Sequence, residues 1–183
     1  ARVTILDSNL FRLRQIDDLY GGRIQTLASN AFNIAAAVKE ADLLVGSVLI
    51  PGALTPKLVT EAMVKTMKKG SAIVDVAIDQ GGCIEVTAKH GATYHDNPTF
   101  MYEGIVCYSV GNMPGAVART STFTLTNATM PYMIDLANKG WKKACQDDKA
   151  LARGINTYDG KVYFKGVSDA LGYELHCTCD ILK

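Results

Sequence analysis

The feature that most constrains the fold is a short apolar run, residues 72–78, which is interrupted only by Asp75 and ends in Asp79-Gln80-Gly81-Gly82. A run this short and rich in β-branched residues is typical of a buried strand in a parallel sheet. The paired glycines permit a sharp turn and the close approach of a ligand to the backbone. Because ligands of open α/β sheets bind beyond the carboxyl ends of the strands, Asp79 is a candidate site residue. The alternative is that Asp79 only caps the next turn.

Strand-like and helix-like segments alternate along the chain with short connections. We predict further strands over 2–6, 23–28, 42–49 and 105–110, and helices over 9–19, 31–41, 56–69, 119–138, 141–152 and 167–172. Ser8 or Asn9 can cap the first helix and Ser29 or Asn30 the second, and Asp159-Gly160 is a strong hairpin signal. The order predicts the α/β class, with a doubly wound, mostly parallel Rossmann-type sheet followed by C-terminal helices.

Composition excludes several classes of function. With 19 basic and 18 acidic residues well mixed among 183, the chain has no basic stripe of the kind that binds nucleic acid. No run of about 20 apolar residues is present, so a membrane span is not expected. The chain opens on a strand-like run without an initiator Met or the plan of a signal peptide, which suggests a fragment or a processed product.

The cysteines show no disulfide framework, since they are odd in number: Cys83, Cys107, Cys145, Cys177 and Cys179. Reduced thiols in a cytoplasmic protein are therefore the expectation. The segment His176-Cys177-Thr178-Cys179 suggests half of a metal site, but no second Cys/His pair at zinc-finger spacing accompanies it. We predict no metal site.

Polar residues follow several of the predicted strands. An acidic residue that ends the second strand of a dinucleotide-binding sheet accepts hydrogen bonds from the adenosine ribose, and Asp7 fits that role if the chain begins at that strand. Asp7 can equally be a helix cap. The glycine fingerprint G-x-G-x-x-G is absent, and the spacing and proline of residues 111–115 do not suit a loop that binds pyrophosphate.

Five stretches then occur in order along the chain: Val76-Ala77-Ile78-Asp79-Gln80-Gly81-Gly82, His95-Asp96-Asn97-Pro98, Asn112-Met113-Pro114-Gly115-Ala116-Val117, Arg119-Thr120-Ser121-Thr122 and Leu136-Ala137-Asn138-Lys139-Gly140-Trp141. Together they resemble the second half of NAD-dependent alanine dehydrogenase and, less closely, the α subunit of proton-translocating transhydrogenase. Two positions depart from the pattern, because Cys107 stands where a histidine is common and Ala118 where a proline is common.

The resemblance implies reversible oxidative deamination of L-alanine to pyruvate and ammonia, with NAD as cofactor. It implies a cytoplasmic homo-oligomer, expected to be a hexamer, in which residues 1–118 form a truncated NAD-binding domain and residues 119–183 belong to the catalytic domain. Asp79 would be the catalytic acid/base beside the nicotinamide. The implied cofactor-binding residues are Asp7, Arg12, Ser29, Val48, Leu49, Val76, Ala77, Ile78, Asp79, Ser109, Val110, Gly111, Asn112 and Met113.

The resemblance also implies that part of the site is missing. The other catalytic group, a histidine, and the substrate-binding arginine and lysine lie in the preceding domain, so the isolated chain is expected to be inactive. The first strand of the sheet is missing as well, which leaves a slot between residues 2–6 and 42–48. We expect this slot to be filled by another strand or closed by pairing of its two edges. The alternatives to an alanine dehydrogenase are the transhydrogenase subunit and a non-catalytic protein that retains the fold.

Overall fold

The computed structural model describes residues 1–50 and 54–183, which divide into two compact units. The first unit comprises residues 1–49 and 54–112, and the second consists chiefly of residues 113–183. The first unit contains β1 (Thr4–Asp7), α1 (Leu10–Tyr20), β2 (Gln25–Ala28), α2 (Ala31–Glu40), β3 (Leu43–Gly46), α3 (Glu61–Val64), β4 (Ala72–Asp75), a 3₁₀ turn (Ile78–Gln80), α4 (Glu85–His90), β5 (Thr99–Tyr102) and β6 (Ile105–Tyr108).

The strands of the first unit form two sheets. In one, β1 and β2 are parallel, and in the other the order is β3-β4-β6-β5, in which all neighbours are parallel except β5 and β6. The predicted α/β class with a mostly parallel Rossmann-type sheet is therefore confirmed. Within the described part of the chain β1 pairs only with β2 and β3 only with β4, so the two edges expected to flank a missing strand do not pair with each other. Filling of the slot by another strand stays a prediction.

The core of the first unit lies between the four-stranded sheet and its helices. Ile73 of β4, Ile105 of β6 and Val64 of α3 are fully buried there, and Val38 of α2 is almost so. The caps of the first two helices are the asparagines, since the Asn9 side chain accepts a hydrogen bond from the Arg12 N–H and that of Asn30 one from the Asn33 N–H. Both caps were among the predicted alternatives.

The helix predicted over 56–69 is wrong, because only Glu61–Val64 is helical. The preceding backbone is instead bonded to another segment: the Thr55 N–H donates to the Gln80 carbonyl at 3.0 Å and the Leu58 N–H to the Cys83 carbonyl at 2.9 Å. Hydrogen bonding to a distant loop has thus replaced the local bonds of a helix.

Strand β5 was not predicted, although it forms an antiparallel hairpin with β6. The two residues of its turn, Glu103 and Gly104, have φ of 49° and 82°. A primed two-residue turn requires such values, and a glutamate at the first position is not a usual signal for it.

One carboxylate connects three elements on the surface of the first unit. The Glu61 side chain of α3 accepts a hydrogen bond from the Tyr102 hydroxyl of β5 at 2.6 Å. It also pairs with Lys89 of α4 at 2.6 Å and with Lys65 at 3.0 Å. Hydrogen bonds from Lys89 first, and then from Tyr102 and Lys65, lower the pKa of Glu61 to about 2. Glu61 thus links α3 to α4 and β5.

The second unit is mainly helical, with a 3₁₀ turn (Met113–Val117), α5 (Ala118–Asp147), α6 (Lys149–Ala152), the hairpin β7 (Thr157–Tyr158) and β8 (Lys161–Val162), α7 (Lys165–Leu171) and a final 3₁₀ turn (Thr178–Asp180). Pro131 lies inside α5. Gly140 has φ of 72° and ψ of 158°, so the helix is interrupted between the two predicted helical stretches. The predicted hairpin is confirmed, with positive φ at Asp159 and Gly160.

The expectation that every thiol is reduced is wrong for one pair. Cys177 and Cys179 form a disulfide, and their Cα atoms are 5.2 Å apart, a separation that a disulfide can bridge. Cys83, Cys107 and Cys145 are free and buried. Among the described residues there is no group of three or more potential metal ligands, and no helix long and apolar enough to cross a membrane.

Candidate functional site at the carboxyl end of β4

Asp79 lies in the 3₁₀ turn directly after β4, and its side chain is exposed. The Asp79 carboxylate accepts a hydrogen bond from the Asn112 backbone N–H at 3.2 Å. The turn begins at Ala77 without any side-chain cap. The N–H groups of the following residues 80–82 donate to backbone carbonyls. The alternative in which Asp79 only caps the next turn therefore finds no support, and the carboxylate instead faces the loop that follows β6.

Gly111 in that loop gives Asp79 the room it needs. A Cβ atom on Gly111 would lie 3.2 Å from Asp79 Oδ1, which is closer than about nine in ten real Cβ contacts. The loop is itself fixed, since the Gly111 N–H donates to the Thr93 carbonyl at 3.2 Å and the Ser109 hydroxyl to the Gly91 carbonyl at 3.1 Å. Asp79, Gly111 and Asn112 are thus brought together, as the predicted site requires.

Asp75 is the acidic residue of the site region to which sequence reasoning gave no role. It is fully buried at the end of β4. Its carboxylate accepts hydrogen bonds from the backbone N–H groups of Ala77, Cys83 and Ile84 at 3.1, 3.1 and 3.2 Å, and from the Thr87 hydroxyl at 2.5 Å. The sequence already indicated a structural role for Asp75, because a buried strand tolerates an acidic residue only where its carboxylate is hydrogen-bonded.

The segment before α3 binds the other side of the same loop. The Thr55 N–H and hydroxyl both donate to the Gln80 carbonyl, at 3.0 and 2.7 Å. The Lys57 ammonium donates to the Gly82 carbonyl at 2.6 Å and also to that of Gly81. The loop that carries Asp79 is therefore held through its N–H groups by Asp75 and through its carbonyls by residues 55–58.

Cys83 is a buried thiol beside Asp75, with its sulfur 3.5 Å from Asp75 Oδ1. Burial, and then the negative charge of Asp75, raise the pKa of the Cys83 thiol to about 11. A thiol with so high a pKa stays protonated at neutral pH and is not a nucleophile. A Cβ atom on Gly46 at the end of β3 would lie 2.5 Å from this sulfur, so the packing of Cys83 requires a glycine at position 46.

A second cluster forms where β1 and β2 end. The Ser29 N–H donates to the Asp7 carbonyl at 2.9 Å, which places the two predicted residues side by side. One oxygen of the Asp7 carboxylate accepts from the Asn9 N–H at 2.7 Å. The Arg12 guanidinium donates to Gln15 on its own helix at 3.1 Å and so does not pair with Asp7 in this structure.

The apolar residues of the predicted site fall into two groups. Leu49 and Val76 expose 68% and 48% of their surface, and the Val76 N–H donates to the Gly46 carbonyl at 2.8 Å, so β3 and β4 end next to each other. Val48 is half-buried. The buried apolar ones are Ala77, Ile78 and Val110, and the polar Ser109 is buried as well, which leaves mainly their backbone for contact with a ligand. Met113 belongs to the second unit.

Neither of two surface cavities coincides with the predicted site. A shallow cavity of about 410 Å³ is lined by residues 157–162 and Tyr173, and another of about 360 Å³ is lined by residues that include Lys65, Lys69 and Glu103. Neither is lined by a predicted site residue. The site is instead defined by the chemistry of the strand ends.

The family to which these features point is found by comparison with known proteins. The family described as "Alanine dehydrogenase/PNT, C-terminal domain" matches residues 1–165. The chain belongs to this family. It is 92% identical over its whole length to an alanine dehydrogenase of Bilophila wadsworthia, of which it covers 50%.

Solved structures agree with this assignment. A structure of L-alanine dehydrogenase that is 45% identical superposes with a TM-score of 0.81 and covers 94% of this chain and 46% of that one. A transhydrogenase from Sinorhizobium meliloti, at 23% identity and a TM-score of 0.64, covers 80% of this chain and 39% of that one and shares the fold alone. The chain therefore spans about half the length of the relatives it matches.

Proposed function

We propose that this chain is the nucleotide-binding half of an NAD-dependent alanine dehydrogenase, which oxidises L-alanine reversibly to pyruvate and ammonia. The observation that carries the proposal is the position of Asp79, whose exposed carboxylate lies at the carboxyl end of β4 and is held by the Asn112 N–H at 3.2 Å. Membership of the family and 92% identity to a curated alanine dehydrogenase support it.

The strand ends suit a dinucleotide. Asp7 and Ser29 lie side by side at one cluster, and only one oxygen of the Asp7 carboxylate is hydrogen-bonded to Asn9, so the other is available to ribose hydroxyls. Leu49 and Val76 leave apolar surface exposed at the ends of β3 and β4, which fits the face of an aromatic ring. In this assignment the cluster of Asp7 and Ser29 binds the adenosine half of NAD, and the ends of β3 and β4 lie beside the nicotinamide.

Bound NAD supplies the hydride acceptor, and the protein orients it. Deamination also requires proton transfer to and from the amine, and to and from the water that replaces it. An exposed carboxylate beside the reacting carbon suits that exchange, and Asp79 is assigned this role as a general acid/base. The backbone from Ser109 to Asn112 completes the nicotinamide end of the proposed site.

The wider biology follows the same assignment. We infer a homo-oligomer, a hexamer by family resemblance, that works in the cytoplasm on alanine and pyruvate. Residues 1–118 are assigned to the NAD-binding domain and residues 119–183 to the catalytic domain. The transhydrogenase alternative is supported by likeness of fold alone, at 23% identity.

The test is the substitution Asp79→Asn at the equivalent position of the full-length Bilophila alanine dehydrogenase. Removal of a general acid/base typically lowers kcat by about 10²–10⁴-fold, while the amide keeps the shape and NAD binding should persist. Asp18→Asn, which neutralises an exposed carboxylate on α1, is the matched control. An unchanged kcat in the Asp79→Asn enzyme would remove Asp79 from the reaction.

A further inference from the structure

We propose that Asp75 is a positioning residue, which holds the loop of residues 76–84 so that Asp79 reaches its place beside Asn112. The inference rests on the proposed function, because it gives Asp79 a chemical role. Asp75 itself is fully buried and therefore does not touch a substrate. Its influence passes through the backbone of the loop.

The Asp75 carboxylate joins the two ends of this loop. Oδ1 accepts from the Ala77 N–H, where the loop begins, at 3.1 Å. Oδ2 accepts from the N–H groups of Cys83 and Ile84, where it ends, at 3.1 and 3.2 Å. Asp79 lies between these anchor points, so the Asp75 side chain joins the two ends of the loop through their N–H groups, while residues 55–58 bind its carbonyls from the other side.

The bonds inside the loop join residues 77–82 to one another and do not reach Asp75, Cys83 or Ile84. The N–H groups of Gln80, Gly81 and Gly82 donate to the carbonyls of Ala77 and Ile78, at 2.9 to 3.0 Å. These bonds shape the turn around Asp79 but leave its direction from β4 undetermined. The Asp75 carboxylate supplies that direction, because it extends from the last residue of the strand.

The position of Asp75 requires a side chain that accepts hydrogen bonds and donates none. The partners of Asp75 are three backbone N–H groups, the Thr87 O–H and the Cys83 S–H, all of them donors, and an ionised carboxylate has only acceptor positions. An asparagine of the same shape would direct its NH₂ group at one set of donors and leave them unpaired. Gly82 preserves the space, since a Cβ atom there would lie 2.8 Å from Asp75 Oδ2.

The experiment compares Asp75→Asn with a core substitution that weakens the fold equally. The control is Ile105→Val or Ile105→Ala on β6, whichever matches the loss of thermal stability, and both are made in the full-length Bilophila enzyme. We expect kcat of the Asp75→Asn enzyme to fall by roughly 10²-fold, the loss typical of a misplaced catalytic group, while KM for NAD changes little. The matched core variant should keep its kcat.

A second readout does not depend on activity. Amide hydrogen exchange at residues 77–84 should become at least about tenfold faster in Asp75→Asn and remain slow in the core variant. Equal kcat in the two variants, or unchanged protection of this segment, would overturn the inference. If Asp79→Asn retains full activity, the proposed role of Asp79 fails, and hydrogen exchange still decides whether Asp75 holds the loop.

A milder variant covers the case in which Asp75→Asn does not fold. Thr87→Val removes the 2.5 Å bond to Asp75 Oδ2 and keeps the shape of the side chain. Thr66→Val, which removes a 2.7 Å bond from an exposed threonine to the Met63 carbonyl, is the control for the loss of a threonine hydroxyl. A fall in kcat and faster exchange at 77–84 in Thr87→Val alone support the inference, and equal behaviour of the two threonine variants contradicts it.

Discussion

The carboxylate of Asp79 accepts a hydrogen bond from the backbone N–H of Asn112 at 3.2 Å, although 33 positions separate the two residues in the chain. The bond joins the turn after β4 to the loop after β6. These strands are neighbours in the sheet, so their carboxyl ends meet at one edge.

Gly111→Ala should displace Asp79 without changing any titratable group. The added Cβ would lie 3.2 Å from Asp79 Oδ1 and 3.6 Å from Ala92 Cβ, so the carboxylate must give way by a few tenths of an ångström. We expect kcat of the full-length relative to fall by up to roughly 10²-fold, with little loss of thermal stability. Steady-state kinetics and a melting curve check this. An unchanged kcat would contradict the prediction, because it would show that the reaction tolerates a small displacement of the Asp79 carboxylate.

Asp7→Asn should weaken the preference for NAD over NADP. Asparagine keeps an oxygen for the 2.7 Å bond from the Asn9 N–H but removes the charge that repels a 2′-phosphate. The ratio of Kd values for NADP and NAD, measured by calorimetric titration, should therefore fall. Because the local turn is preserved, the melting temperature should stay within a few degrees of the parent. An unchanged ratio would show that Asp7 does not face the ribose.

Alkaline pH should destabilise the first unit through two buried thiols. Burial raises the pKa of Cys107 to about 11, and burial together with Asp75 raises that of Cys83 to about 11, from an ordinary value near 9. A group whose folded pKa is raised gives its full stabilisation below the unfolded pKa and loses it as the pH rises through the folded one. Between about pH 9 and 11, each thiol should lower the free energy of unfolding by about 1.4 kcal/mol per pH unit.

Urea unfolding of reduced protein at several pH values measures this effect. The double variant Cys83→Ala and Cys107→Ala should start from a lower free energy of unfolding, because two core side chains are shortened. Its decline between pH 9 and 11 should be shallower than that of the parent. Parallel curves would show that the thiols do not carry the pH dependence.

Glu61→Gln should lower the free energy of unfolding of the first unit at neutral pH. It should also make that free energy depend less on pH in acid. The pKa of Glu61 is lowered to about 2 by Lys89, Tyr102 and Lys65, so its stabilisation is present above about pH 4.5 and is lost as the pH falls through 2. The variant should lose stability at pH 7 and show a smaller further loss down to pH 2. Glu40→Gln, at an exposed position on α2, is the control for a lost surface charge.

Local features of the fold were predictable because neighbouring residues determine them. Asn9 and Asn30 cap helices through bonds to N–H groups three residues ahead, and Asp159-Gly160 forms a hairpin turn. The parallel strands followed from apolar runs with short connections. Asp79 was predictable as a site candidate, since a carboxylate after a buried strand and before paired glycines is an unusual combination.

The sequence by itself therefore determined the α/β class, the starts of the first two helices and the place of Asp79 after β4, whereas only the tertiary structure decided how the loop of Asp79 is held. Residues 56–59 read as the start of a helix, yet the Leu58 N–H binds the Cys83 carbonyl, as the Thr55 N–H just before them binds that of Gln80. Asp75 interrupts an apolar run, and its role appears only when Ala77, Cys83 and Ile84 converge on it. The physical reason is that buried polar groups must be paired, and the partner is chosen by proximity in space rather than by separation along the chain.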